Sequence, residues 1–423
     1  MKCYPNAISL IIRICLPALI FCACDLSPSE PPPEKAYRAE ILWEREVKSP
    51  STGTRTLVEG QYCYLPAYEN YPGGDSNIVK INIETGRVEW ESRGIGSFSE
   101  KPQKIGTHIY VLTYSGFIDV FNDSDGKLAA TVMLGEDETE ADNNIGYYCP
   151  AAVSGPYLFW GTNGLMRLNS ELIDFSIPPG EVQSITPELV WSNSWDAQIY
   201  LNLVSEDGIL YFLTRSYMPG NPISENPSVL VALNAETGDV IWEREAPHCQ
   251  GYRDFSLVLN GEKLLVVEVV VNGEGVNEGI FSSYDKSTGV PVLENIPVGN
   301  ATGSFRYQGQ GITLYNNRLF YSDPWGLVSV DADTGKLIWD ISASSFIPMF
   351  PNDQISTYFR SSPLVNDGKV FIMHGTGLRV YNADTGEFIG VDKSFQRILG
   401  AIAIYKDTHI FLNRWYVTAI RCK

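Results

Sequence analysis

Residues 327–340 read LVSVDADTGKLIWD: an apolar stretch alternating across two faces, a polar turn, then a second apolar stretch. A period of two marks a β-strand, because successive side chains point to opposite faces. The turn opens on Asp331 and closes on Gly335. An Asp or Asn at that place can bond the amides that follow it, and glycine takes the positive φ that other residues resist. The segment therefore predicts a β-hairpin. After residue 36 no stretch sustains a 3.6-residue apolar period, so few helices are expected.

The wording recurs. It returns in INIETGRVEWE (81–91), VFNDSDGKLAA (120–130), LVALNAETGDVIWE (230–243), FSSYDKSTGVPVL (281–293) and LRVYNADTGEFIG (378–390). The turn glycines Gly86, Gly126, Gly238, Gly289, Gly335 and Gly386 are spaced by roughly 40 to 55 residues, with one double gap. A weaker unit, GLMRLNS (164–170) leading to ELVW (188–191), fills that gap. This period predicts an all-β propeller, each unit one four-stranded antiparallel blade. The strand after each turn is the outer edge of its blade. A tryptophan near its start can fold over the next blade and bury its ring between two sheets. Trp90, Trp191, Trp242 and Trp339 occupy that slot, with Leu293 and Gly390 in two weaker units.

The ends set the count. DTHIFLNRWYVTAIR (407–421) stops without an outer strand, while AEILWEREV (39–47) looks like one, with Trp43 in the slot. Seven internal units and this composite predict eight blades, the N-terminal outer strand completing the C-terminal blade. The whole of 39–423 is then one domain.

Residues 1–23 combine Lys2 with an apolar run from Ala7 to Ala23, broken by Arg13 and Pro17. That is too short and interrupted for a membrane span and predicts an export signal. Its ending, FCAC, resembles a bacterial lipobox, with Ala23 before Cys24 and Phe21 where leucine is usual. Cys24 is the expected lipidated residue. Residues 24–38 carry four prolines and predict an extended tether. The expected location is the cell envelope, with the anchor as the sole membrane contact.

Charge excludes other partners. The formal net charge is −19, and loss of the leader removes Lys2 and Arg13 as well. Such a surface argues against nucleic acid and against a basic patch on anionic lipid. Once the leader and Cys24 are set aside, Cys63, Cys149, Cys249 and Cys422 remain, widely separated. Their pairing stays open, and their spacing does not suggest zinc.

The pattern A-L-[DN]-A-x-T-G-x-x-x-W resembles the pyrroloquinoline-quinone-like propeller repeat. SSPLVNDGKVFIMHGTGLRVYNADTGEF (361–388) resembles it across a whole blade. A lipid-anchored ring of eight such blades is similar to the BamB-type lipoproteins of the outer-membrane β-barrel assembly machinery. That resemblance implies a monomeric, non-catalytic scaffold without a cofactor, bound to envelope proteins. Two other functions go with the repeat. One is a quinoprotein dehydrogenase, holding quinone over the channel with calcium, a tryptophan floor and often a vicinal disulfide. The other is a surface glycan-binding module. No adjacent cysteines occur, and the spare Trp160, Trp195, Trp325 and Trp415 are expected to pack within blades.

No G-x-S-x-G, H-E-x-x-H or phosphate loop is present. His108 and His409 fall at matching strand mouths where other units place Lys or Arg, so both are expected at polar edges; His248 and His374 show no pattern. The acidic run GEDETEADNN (135–144) lacks the glycine-pinned order of a calcium loop and predicts a solvated loop. No catalytic, cofactor or metal residue is expected. Partner binding is expected on the face opposite the T-G turns. There the second loops of blades 1, 4 and 5 are long and unlike one another: AYENYPGGDSN (67–77), RSYMPGNPISENPS (215–228) and VNGEGVNEG (271–279). Tyr68, Tyr71 and Tyr217 offer aromatic area with a polar tip.

Overall fold

The computed structural model describes residues 36–421 except 48–55, 69–75, 95–100, 114, 137–150, 163, 193–202, 215–227, 247–255, 272–276, 299–311, 324–325, 343–362, 375–376, 396–397 and 414–415. Contacts divide the chain into Met1–Lys35, outside the described residues, and Ala36–Lys423. The second unit is built of eight sheets. Blade 1 runs Leu57–Glu59, Tyr62–Tyr68, Ser76–Asn82 and Val88–Arg93. Blades 2 to 7 repeat that order over 103–133, 151–191, 204–246, 256–297, 313–342 and 364–392. First strands of neighbouring blades touch, as Ala151–Ser154 touches both Gln103–Ile105 and Val204–Glu206, so the first strands line the axis and the fourth strands form the rim.

The ring closes as the two chain ends predict. Glu40–Glu46 pairs antiparallel with Tyr416–Arg421, Trp43 opposite Ala419, as the fourth strand of blade 8. The apolar core is correspondingly not central. It consists of eight seams, one between each pair of neighbouring blades. The closing seam packs Trp43, Ile410, Leu412 and Val417 of blade 8 on Cys63, Leu65, Val79 and Ile81 of blade 1. Removing one strand therefore opens a whole seam.

The repeated turn is held by its own side chains. Asn82 Oδ1 accepts from the amides of Glu84 and Thr85, and Thr85 Oγ1 accepts from the amide of Arg87 at 3.2 Å. Asn234, Asp285, Asp331 and Asn382 make the same pair of bonds in their turns. Each turn glycine then donates its amide to the carbonyl of the opening Asx. Every rim strand slips by one residue near its start. The extra residues are Leu42, Glu89, Ala129, Val190, Ile241, Val292, Ile338 and Ile389. Each directly precedes the tryptophan slot, where a bulge bends the strand and re-aims the side chain.

Two blades have no large residue in the slot, and both are covered differently. In blade 2 the slot holds Ala130, and in blade 7 it holds Gly390. The third turn of blade 3 is replaced by an excursion over 170–187. It lays Val182–Ser184 parallel to the rim strand of blade 2, with Val182 beside Thr131. Blade 2 is thus five-stranded, a departure from the uniform four expected. On blade 7, Ala36 bridges in parallel to Val391, and Tyr37 donates its amide to the Val391 carbonyl at 3.0 Å.

Candidate functional site

One face of the ring carries the turns that join strands one to two and three to four. The other carries the second-to-third connections and the links between blades. The expected partner loops belong to the second face, and most of their residues, Tyr71 and Tyr217 among them, lie outside the described residues. Tyr68 does not belong to a loop: it ends the strand Tyr62–Tyr68, opposite Ser76. The blade 5 connection is shorter than expected as well. Its hairpin continues to Val271 opposite Asn277, leaving 272–276 between the strands. Blades 4 and 5 are neighbours, whereas blade 1 stands across the ring from blade 5, so the blade 1 connection belongs to a different sector from the other two.

On the T-G face the tryptophans reach across the seams. Nε1 of Trp43, Trp90, Trp242 and Trp339 donates to the carbonyls of Ile83, Asp123, Lys286 and Ala383 at 2.7, 2.9, 3.0 and 3.0 Å. Each acceptor follows the Asx that opens the turn of the next blade. Trp191 differs, donating to the Glu243 carboxylate at 2.7 Å. Cations cross in parallel: Lys263 to Asp333 and Arg318 to Asp384, at 2.6 and 2.7 Å, and Lys406 to Glu84 at 2.6 Å. These pairs are largely exposed, and each contributes little on its own.

The densest polar cluster joins residues far apart in the sequence. Asp123 Oδ1 accepts from Lys80 Nζ at 2.5 Å and from Tyr64 Oη at 2.6 Å, while Lys104 Nζ lies 2.9 Å from Oδ2. Burial works against its charge, but the hydrogen bonds from Lys80, Tyr64 and Lys104 prevail and hold its pKa at about 2. Burial, then the Asp123 hydrogen bond, pushes the Tyr64 phenol well up. Tyr64 has no exposure and Lys80 only 6%. A cluster closed to substrate acts as a polar clasp across the seam between blades 1 and 2. Its signal was Asp123, in a turn position where other units hold Ile83, Ala235, Lys286, Ala332 and Ala383.

His409 corrects another expectation. It is wholly buried rather than at a polar edge, edge-on to Phe371 at 4.5 Å. Burial, only partly offset by Asp407, lowers its pKa to about 4. His108 is half-buried and stacks on Phe175 of the blade 3 excursion at 4.4 Å. His374 ends a strand of blade 7, and His248 lies outside the described residues. Cys63 is a buried free thiol, its pKa pushed up by burial; Cys149, Cys249 and Cys422 lie outside the described residues. Trp160 is fully buried between blades 2 and 3, while Trp195, Trp325 and Trp415 lie outside. Of the acidic run, Glu136 is described, whereas Asp137, Glu138, Glu140 and Asp142 are not. No helix among the described residues is long and apolar enough to cross a membrane.

Eight blades closed by the N-terminal strand make this chain an eight-bladed β-propeller. No family model matches the chain. In sequence it is similar to the outer membrane protein assembly factor BamB of Yersinia pestis, 25% identical over 180 residues, or 41% of each chain. The match thus spans less than half the length of that relative. Among solved structures, BamB from Moraxella catarrhalis superposes with a TM-score of 0.59 at 12% identity, covering 92% of this chain and 98% of that one. The quinohemoprotein alcohol dehydrogenase of Comamonas testosteroni gives a TM-score of 0.58 at 12% identity, covering 90% and 76%. At that identity the structural likenesses are likenesses of fold.

Proposed function

We propose that the protein is a non-catalytic scaffold of the bacterial cell envelope, anchored through a lipid on Cys24 and carrying protein partners on its ring. The observation that carries this reading is the sequence similarity to BamB, whereas the dehydrogenase shares the fold at 12% identity. The architecture suits the role. Eight apolar seams, five of them clasped by a rim tryptophan, make a rigid frame, on which loops can vary without disturbing the blades. Tyr68, Tyr71 and Tyr217 mark the connections of blades 1 and 4 that would meet partners, which on the BamB reading include the β-barrel assembly machinery.

Two experiments test this reading, the first its anchor and the second its separation from a quinone-dependent dehydrogenase. Metabolic labelling with a fatty acid should mark the wild-type protein and not Cys24→Ala. Reconstitution with pyrroloquinoline quinone and calcium, assayed by dye reduction with alcohols and sugars, should give no turnover. Clear turnover would replace the scaffold by the enzyme. A positive glycan array with no recovered protein partner would favour the carbohydrate-binding role.

A further inference from the structure

An open sheet edge is a template for pairing, and folded proteins protect such edges by bulges, charges or prolines. Six rim strands are protected this way: Glu40–Glu46, Val88–Arg93, Glu188–Trp191, Val240–Ala246, Pro291–Pro297 and Leu337–Ser342. Each combines a slipped residue with at least one charge. The rim strand of blade 7 is overlain at Ala36, and that of blade 2 by Val182–Ser184. This last strand is itself an edge. Its sequence is VQS, it pairs in regular register, and it carries neither bulge nor charge.

Its backbone faces outward. Ile185 donates its amide to the Met133 carbonyl at 2.9 Å, which fixes the alternation. In a parallel ladder every second residue bonds the same neighbour, so the N–H and C=O groups of Val182 and Ser184 point away from the sheet. Neither residue has a hydrogen-bond partner there among the described residues. Beside this edge the surface is apolar and acidic. Phe175 is 42% and Val182 47% exposed. The Gln183 side chain bonds the amide and carbonyl of Asp174 at 2.9 and 3.0 Å, which places Phe175 and Val182 at one corner of the excursion. Segment 170–187 contains Glu171, Asp174 and Glu181 and no Lys or Arg. Glu171 and Glu181 are exposed and form no ion pair among the described residues.

We propose that this edge docks an extended segment of a partner polypeptide in which cationic and apolar residues alternate. The segment adds as a further strand outside Val182–Ser184. Its main chain bonds Val182 and Ser184, its apolar side chains cover Phe175 and Val182, and its Lys or Arg residues meet Glu171 and Glu181. The edge is short, so backbone bonds alone give little affinity, and the apolar and charged contacts supply the remainder. The inference rests on the scaffold reading and names the partner's chemistry at one place on the rim.

The test uses the full mature chain and two fluorescein-labelled octapeptides, alternating Lys-Val and alternating Glu-Val, read by anisotropy. The Lys-Val peptide should bind at least about tenfold more tightly than the Glu-Val peptide. Ser184→Pro, which deletes an outward amide and no internal bond, should weaken Lys-Val binding about tenfold with an unchanged melting temperature. The pair Phe175→Ala and Val182→Thr should weaken it independently, and Glu171→Lys with Glu181→Lys should invert the peptide preference. Equal binding to wild type and Ser184→Pro would reduce the effect to general attraction by an acidic protein and overturn the proposal. So would a dimer in sedimentation that Ser184→Pro dissolves, since the edge would then belong to a second copy. Envelope partners that survive Ser184→Pro while peptide binding is also unchanged would sink the edge and leave the scaffold standing.

Discussion

The indole of Trp90 lies against the α-carbon of Gly126 in the next blade, so closely that a β-carbon on Gly126 would meet ring atom Cδ2 at 2.5 Å. Trp43 stands in the same relation to Gly86, Trp242 to Gly289 and Trp339 to Gly386. Glycine and tryptophan recur together for this reason. The glycine is required twice, once for its φ of +71° and once for the space its missing side chain leaves.

This separates two costs. Gly60 also has positive φ, at +56°, but a β-carbon there would meet nothing within 4 Å. Gly60→Ala should cost ~1 kcal/mol, the backbone penalty alone. Gly126→Ala should cost ~3 kcal/mol, because ring and turn must also part. In a Trp90→Ala background the cost of Gly126→Ala should fall towards that of Gly60→Ala, stopping short of it because Ser92 Oγ would still lie 2.7 Å from the new β-carbon. Urea unfolding of the four variants measures the coupling.

Legibility follows locality. The turn and the slot are written within about ten residues of one another, and the period and the closing strand stand out because that local wording recurs along the chain. The Asp123 clasp joins Lys80, Tyr64 and Lys104 across two blades, and no local pattern announces it. The excursion that adds Val182–Ser184 to blade 2 was visible only as a degenerate unit. His409 reads as an edge residue because other units place Lys or Arg at the same strand mouth; the phenylalanine that buries it, Phe371, comes from blade 7.

The Asp123 clasp should govern acid stability. Its folded pKa, about 2, lies below the ordinary aspartate value of 3.8, so its contribution is present above pH 4 and disappears as pH falls towards 2. Asp123→Asn should destabilise the ring by ~2–4 kcal/mol at pH 7, since it strands Lys80 without its partner. Near pH 2 the variant and the wild type should melt together. A gap that persists undiminished at pH 2 would show that the contact is not charge-dependent.

His409 acts in a different window. Its folded pKa, about 4, lies below the ordinary 6.5, and for a base this means the neutral form is favoured in the fold. Stability is therefore full above pH 6.5 and declines as pH falls through that value towards 4, by on the order of 3 kcal/mol. His409→Leu should flatten the melting curve against pH between 6.5 and 4. An unchanged slope in the variant would assign the acid sensitivity to other groups.

Closure is the fourth structural test. Trp43→Ala should cost ~3–5 kcal/mol, the range for a buried tryptophan. Deleting 36–47 should abolish cooperative unfolding, because it opens the seam between blades 8 and 1 and exposes the third strand of blade 8. The deleted segment supplied as a peptide should restore part of the thermal transition.

The scaffold reading itself is met most directly by affinity capture from detergent-solubilised envelope, using wild type and variants in which 69–75, 215–227 or 272–276 is shortened to a tight turn. Wild type should retain one or more envelope proteins in stoichiometric yield. At least one shortened ring should lose them while melting as the wild type does. If wild type retains no protein, or if all three shortened rings retain every partner in full, the protein is not a scaffold working through the face opposite its T-G turns.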